Sequence, residues 1–219
     1  MNLADYQVAL AGAVMGGGGD AVPRSAGLAA TAKVRRSWCE ARAAKAARLT
    51  LSMLHSELRA DLIAGWVDQG GGAAAFHTLE AETFLPFIAR RLTNPSHALA
   101  VCRLDAALAR ATAARAGFAP AADQSGRLGR GDGASLVMLT AQPEWLLSAV
   151  LGQASAPPLT RQRFPVLAAP GITGLLRPAS SGEVVLWRRL AQPAARSALG
   201  GGAGIDRLLS EGVLDILAA

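Results

Sequence analysis

Between Thr83 and Thr112 the chain reads TFLPFIARRLTNPSHALAVCRLDAALARAT, and this run restricts the fold more than any other. Its spacing predicts a short helix, a tight turn at Asn94–Pro95 and a long second helix. Asn94 can accept the first free N–H groups of that helix, and Pro95 suits its first turn. His97, Val101, Leu104, Leu108 and Ala111 recur at helical spacing and form one apolar stripe. Leu99, Cys102, Ala106, Ala109 and Ala113 form a second stripe of mainly small residues, and Arg103 and Arg110 point away from the first. Such a helix packs between neighbours, because small side chains let another helix come close. We therefore expect it at the centre of the N-terminal half.

The segments before it read as helices. Leu3–Met15 places Leu3, Tyr6, Leu10 and Val14 on one face and stops at Gly16–Gly19. Those four glycines lack the preceding strand and the following Lys-Ser/Thr of a phosphate-cradling loop, so they read as a flexible connection. Thr31–Asp68 reads as one long helix or two joined pieces, with Leu51, Leu54, His55, Leu58, Leu62 and Trp66 on one side. Arg35, Arg42 and Lys45 lie on another face, which reads as solvated. Gly70–Gly72 ends that segment, and Ala73–Glu82 leads helically into the central pair. Pro86 bends or restarts the helix there, and Phe84, Phe87, Ile88 and Leu92 supply bulky packing surface.

The composition then changes. Gly117–Gly133, GFAPAADQSGRLGRGDG, is rich in Gly, Ala and polar residues and reads as a join between domains. Beyond it Ser135–Thr140 is a strand candidate, Pro143–Leu151 a helix, and Phe164–Ala168 and Ile172–Leu176 short apolar runs bounded by Pro and Gly. Ser180-Ser181-Gly182 is a turn signal, and Glu183–Leu190 (EVVLWRRL) reads as the clearest strand. Two short helices follow, Ala194–Leu199 and Ile205–Glu211, then a terminal strand over Val213–Leu217. The expectation is an α+β chain: a helical bundle over 1–116, a Gly-rich linker over 117–134, and a small α/β module over 135–219, with a winged-helix arrangement as one option.

Chemistry-bearing motifs are scarce. His55, His77 and His97 belong to no HExxH pattern and have no carboxylate at metal-ligand spacing. His55 and His97 on apolar stripes read as hydrogen-bonded core residues, and His77 beside Phe76 is less constrained. Cys39 and Cys102 form no CxxC and read as small packing residues. Glu80 and Glu82, two apart on a helix, diverge and make no carboxylate pair. There is no GxSxG element, Walker loop or dinucleotide fingerprint. The net charge of +6 comes from 22 basic residues, nearly all Arg, against 16 acidic ones, which suits an acidic partner without pointing to nucleic acid. Two distant cysteines, no signal peptide and no run of about 20 apolar residues make the cytoplasm the expected compartment, with no membrane partner.

One surface stands out for recognition. An exposed strand edge can accept an extended peptide as an added strand, with side-chain pockets supplying choice. Glu183–Leu190 reads equally as an ordinary core strand with solvated Arg tips. As a recognition edge, its expected peptide-binding residues are Val185, Trp187, Arg188 and Arg189, the arginines offering charge-assisted bonds to carboxylates.

The segment FLPFIARRLTNPSHALAVCRLDAALARA resembles the helical part of the small proteins that accompany multinuclear non-haem iron oxidative enzymes, whose second helix commonly has the form "xxRLExALxxA". EVVLWRRL, the helical pair after it, and the ending IDRLLSEGVLDIL resemble the second part of the same proteins, so the likeness covers roughly Ala73 to the end. This chain has Asp105 in place of the Glu, and the long Gly-rich join, and these departures leave the subfamily open. The resemblance implies a non-catalytic, cytoplasmic partner subunit that forms a heterodimer with a barrel-shaped iron enzyme and has no cofactor of its own, the iron residing in the enzyme. It implies binding of the leader of a ribosomally made precursor peptide and presentation of its cysteine to the irons. Methanobactin-type copper-chelator biosynthesis and 3-thiaglutamate-type biosynthesis are the settings it suggests. The other readings are a winged-helix DNA-binding regulator and a stand-alone enzyme built on His77 and nearby acids.

Overall fold

The computed structural model describes residues 2–14, 25–72, 80–120, 126–199 and 203–217. They form two compact units, Met1–Arg91 and Leu92–Ala219. The architecture is α+β with a helical N-terminal part. The readings at Gly16–Gly19 and over 73–79, His77 included, lie outside the described residues, as do positions 121–125 of the Gly-rich stretch.

The first unit contains helices α1 (Leu3–Val14), α2 (Ala26–Ala46), α3 (Arg48–Ser52), α4 (Ser56–Asp68) and α5 (Glu80–Ala89). The expected segment 31–68 is thus three helices, and the breaks have local causes. Ser25 Oγ accepts the Leu28 N–H at 3.1 Å to start α2, and Ala47 leaves helical geometry at φ −117° to end it. His55 starts α4 through Nδ1, which accepts the Leu58 N–H at 3.3 Å. His55 is therefore an exposed capping residue and not part of the apolar stripe. Of the other members of that stripe Leu51, Leu54, Leu62 and Trp66 are buried, and Leu58 is half-buried. α2 packs against α1, α4 and α5 around Cys39, Ala43 and the Phe84–Leu85–Phe87–Ile88 cluster. The Phe84 ring lies 5.0 Å from that of Trp66 and 6.3 Å from that of Phe87, within aromatic pairing range. Arg36 donates to Glu40 at 2.8 Å and to Asp68 at 2.6 Å, which ties α2 to α4. Arg42 pairs with Glu80 and ties α2 to α5, so this part of the expected solvated basic face is engaged within the fold.

The second unit opens with the long helix α6 (His97–Arg115), which belongs here and not to the centre of the helical bundle. Ser96 caps it, its Oγ accepting the Leu99 N–H at 3.1 Å, in place of the expected Asn94; the Asn94–Pro95 bond before it is cis. The apolar stripes of α6 are real: Leu99, Val101, Cys102, Leu104 and Ala111 are buried, and Arg103 and Arg110 are exposed. What they meet is a sheet. α6 packs on the strands β2 (Ser135–Leu139) and β3 (Phe164–Ala168), which with β4 (Leu176–Pro178) make one antiparallel sheet in the order β2-β3-β4. Val137 stands opposite Val166, and Leu167 opposite Arg177.

A second antiparallel sheet has β1 (Arg127–Arg130) in its middle, flanked by β5 (Ala194–Ala195) and β6 (Leu214–Leu217). Leu128 pairs with Ala194 on one side and Ile216 on the other. A strand therefore forms inside the Gly-rich stretch 117–134, and the division between units falls at Arg91/Leu92 instead. Glycine serves close approach here: a side chain at Gly131 would run into the Gly212 carbonyl. Helices α7 (Pro143–Val150), α8 (Ser181–Arg189) and α9 (Ala203–Ser210) complete the unit. The expected helix over 194–199 is strand β5 followed by a 3-10 turn, and the apolar run 172–176 is a 3-10 turn leading into β4. Gly212, at φ +68°, ends the α9 region in the left-handed conformation that glycine takes without penalty.

Candidate functional site

The residues singled out for peptide recognition lie on α8, not on a strand. Val184, Val185 and Trp187 all favour strands by type, which is why the segment reads as a strand. The local hydrogen bonding decides otherwise. Ser180 Oγ accepts the Glu183 N–H at 3.3 Å, and the Glu183 carboxylate accepts the Ser180 N–H at 2.7 Å. This reciprocal pair satisfies two donors that a helix start leaves free. Its signal is present in the sequence as Ser180-Ser181-Gly182-Glu183, which reads equally as a turn. Val184 and Leu190 are buried, while Leu186 and Trp187 pack against the core formed by Leu128, Leu167, Leu208 and Val213. The segment expected to be a strand is thus a helix with an inner face at Val184, Leu186, Trp187 and Leu190 and an outer face at Val185, Arg188 and Arg189.

The four expected residues have different surroundings. Trp187 is half-buried, and the Arg130 guanidinium sits 4.8 Å from its ring centroid. Arg130 also donates to the Trp187 carbonyl from Nε at 3.1 Å and from Nη2 at 2.8 Å, capping the C-terminal turn of α8. Val185 is 49% exposed, and Arg188 and Arg189 are exposed in the last helical turn, where cations complement the helix dipole. Val185 and Arg189 stand one turn apart beside a groove of about 340 Å³. Leu186 lines the same groove from α8, and Ile205 and Leu208 line it from α9, with Leu199 between. The sequence reading named no residue of the opposite wall; the IDRLL pattern of α9 is the signal for it, since Ile205, Leu208 and Leu209 are buried while Asp206 and Arg207 are exposed.

An ion cluster fixes this wall to the sheet. Arg177 on β4 donates to Glu183 from Nη1 at 3.1 Å and from Nη2 at 2.6 Å. It donates to Glu211 from Nε at 3.0 and 3.1 Å and from Nη2 at 2.5 Å. Arg207 adds a further bond to Glu211 at 2.9 Å. Burial alone would raise the Glu183 carboxyl, but the bonds from Arg177 and Ser180 outweigh it and hold the group below the usual carboxylate range. Burial likewise opposes the Arg177 charge, and its bonds to Glu183 and Glu211 more than restore it. A depressed carboxyl contributes stability that is complete above its unfolded pKa, near ~4.3, and is lost as pH falls through the lower folded value. We expect the second unit to lose stability on acidification below about pH 4.3. Glu183→Gln should flatten that decline, and urea midpoints at pH 7, 5 and 3.5 measure both. Equal acid sensitivity in the variant and the parent would remove Glu183 from the explanation.

The remaining expected features are structural. His97 is bonded at both ring nitrogens, Nδ1 to Thr140 Oγ1 and Nε2 to the Pro157 carbonyl, each at 2.6 Å. Cys39 and Cys102 are buried and form no disulfide. Among the described residues no group of three or more His, Cys, Asp or Glu is placed to hold a metal ion, and no helix is long and apolar enough to cross a membrane. No protein-family model matches the chain, and no curated protein matches it.

Proposed function

We propose that the chain is a non-catalytic partner subunit of a barrel-type multinuclear iron enzyme, and that it holds a precursor peptide on the α8–α9 face while the enzyme acts on the peptide's cysteine. One observation carries the reading: the segment Glu183–Leu190, part of the resemblance to such partners, is one wall of an open groove with an exposed valine and two exposed arginines. Peptides recognised in a groove lay apolar anchors into it and leave charges at the rim. The role needs no reacting group in this chain, because the irons and the oxidation belong to the enzyme. Methanobactin-type and 3-thiaglutamate-type pathways are the settings in which such a heterodimer works.

The test is co-expression with a multinuclear iron enzyme and a Cys-containing precursor peptide taken from the genes around the one for this chain. The two proteins should co-elute at equal stoichiometry, and the precursor's mass should change only when both are present. An enzyme that modifies its precursor equally well alone would overturn the reading. Tight, salt-sensitive binding of duplex DNA by the isolated chain would instead favour a regulator.

A further inference from the structure

The charges around the α8–α9 groove are unequal in their freedom, and that inequality says what the groove accepts. Glu183, on its α8 wall, is bound at both oxygens by Arg177 and at one of them by the Ser180 N–H as well. Asp206, beside the lining residue Ile205, is paired with Arg196 at 2.5 Å. The acids at this site are thus neutralised within the fold. Arg189 lines the groove, is exposed, and has no ion-pair partner among the described residues. Its neighbour Arg188 is exposed in the same helical turn. Below them the surface is aliphatic: Val185, Leu186, Leu199, Ile205 and Leu208.

We infer that the groove selects a peptide segment in which an aliphatic side chain stands next to a carboxylate. The aliphatic group covers Val185 and enters between α8 and α9, and the carboxylate accepts from Arg189. Val185 and Arg189 are one helical turn apart, with Cβ atoms about 5–6 Å from each other, so the two features of the ligand belong on the same short segment. A guanidinium grips a carboxylate in two parallel bonds, which makes the contact directional. A cationic peptide is disfavoured, since Arg189 repels it and, among the described residues, Glu183 and Asp206 are already paired. This inference rests on the partner-subunit reading for its biological occupant, the leader of the precursor. The groove chemistry itself is testable without the iron enzyme.

The test is selection from a displayed random dodecapeptide library on the immobilised full chain, followed by titration of the enriched peptide in fluorescein-labelled form. Enrichment of Asp or Glu beside Leu, Ile or Val is expected. Arg189→Glu should weaken the enriched peptide about tenfold to a hundredfold, the range set by losing one charge-assisted hydrogen bond. Selection on that variant should turn to Lys- or Arg-containing sequences. Arg189→Gln, with the charge removed and not reversed, should give an intermediate loss, and it serves if the reversed variant fails to fold by circular dichroism. Val185→Asp should abolish selection of the aliphatic position. An enriched sequence without acids, no enrichment at all, or the same acidic sequence on Arg189→Glu would each overturn the inference. Acidic enrichment without association of the iron enzyme would leave the groove chemistry standing and sink the partner reading; association with the enzyme but no acidic enrichment would do the reverse.

Discussion

Phe84→Ala is expected to cost the first unit about 3–5 kcal/mol, the usual toll of emptying a buried aromatic site. Phe84 is fully buried, and its ring touches both Trp66 from α4 and Phe87 from its own helix. Removing it takes away apolar contact and also leaves a cavity between α4 and α5 that rigid helices fill only in part. The short α5 depends on that contact: it has Pro86 in its interior, so its own ladder lacks one donor. Trp66 is the natural reporter, because its indole loses its neighbour. Urea unfolding followed by tryptophan emission and by circular dichroism should show the loss. A change under about 1 kcal/mol would mean that the helices collapse onto the gap and that Phe84 is no keystone of the packing.

Arg177→Met should cost the second unit about 2–4 kcal/mol, somewhat below the figure for breaking a fully buried ion pair. The side chains of Arg177, Glu183 and Glu211 are only 14%, 17% and 15% exposed, so water reaches them little. Methionine fills the stem but leaves two carboxylates facing one another without their shared cation, and Arg207 compensates only Glu211. Converting both acids to glutamine in the methionine background removes the repulsion and should recover a large share of the loss. The comparison is a set of urea denaturation midpoints for parent, single and triple variants. A triple variant no more stable than Arg177→Met would show that the arginine acts by packing and not by charge.

Much of the α+β layout is legible without coordinates. The stripes of α6, the strands at Ser135–Leu139 and Phe164–Ala168, the helix at Pro143 and the terminal strand follow from periodicity and from Pro and Gly punctuation. The errors have one kind of cause. At Glu183–Leu190 strand-favouring residue types outvoted a capping box and a helical burial pattern that coexist with them. At Arg127–Arg130 the strand is four residues long, contains a glycine and gains its partners from residues far along the chain, so nothing local announces it. Asn94 and Ser96 are both good helix starters, and the choice between them depends on backbone geometry. The groove needed α8 and α9 side by side, a relation that no motif states. Of the peptide-binding residues expected, Val185 and Arg189 line the groove and Arg188 lies exposed beside it, while Trp187 is taken up by the core and by Arg130.

The pairing of β1 with β6 has a consequence for how the chain is made. Arg127–Arg130 emerges early in the second unit, yet the strand it pairs with along its full length is Leu214–Leu217. Translation proceeds at about 5–20 residues per second, so the nascent β1 waits several seconds for its partner. The first unit ends at Arg91, so it is free to fold during that interval. The second unit closes only after residues 214–217 have left the ribosome. During the wait β1 offers an open edge to any extended segment nearby, and a truncation that removes Leu214–Leu217 takes away a full-length pairing of this sheet, not a dispensable tail.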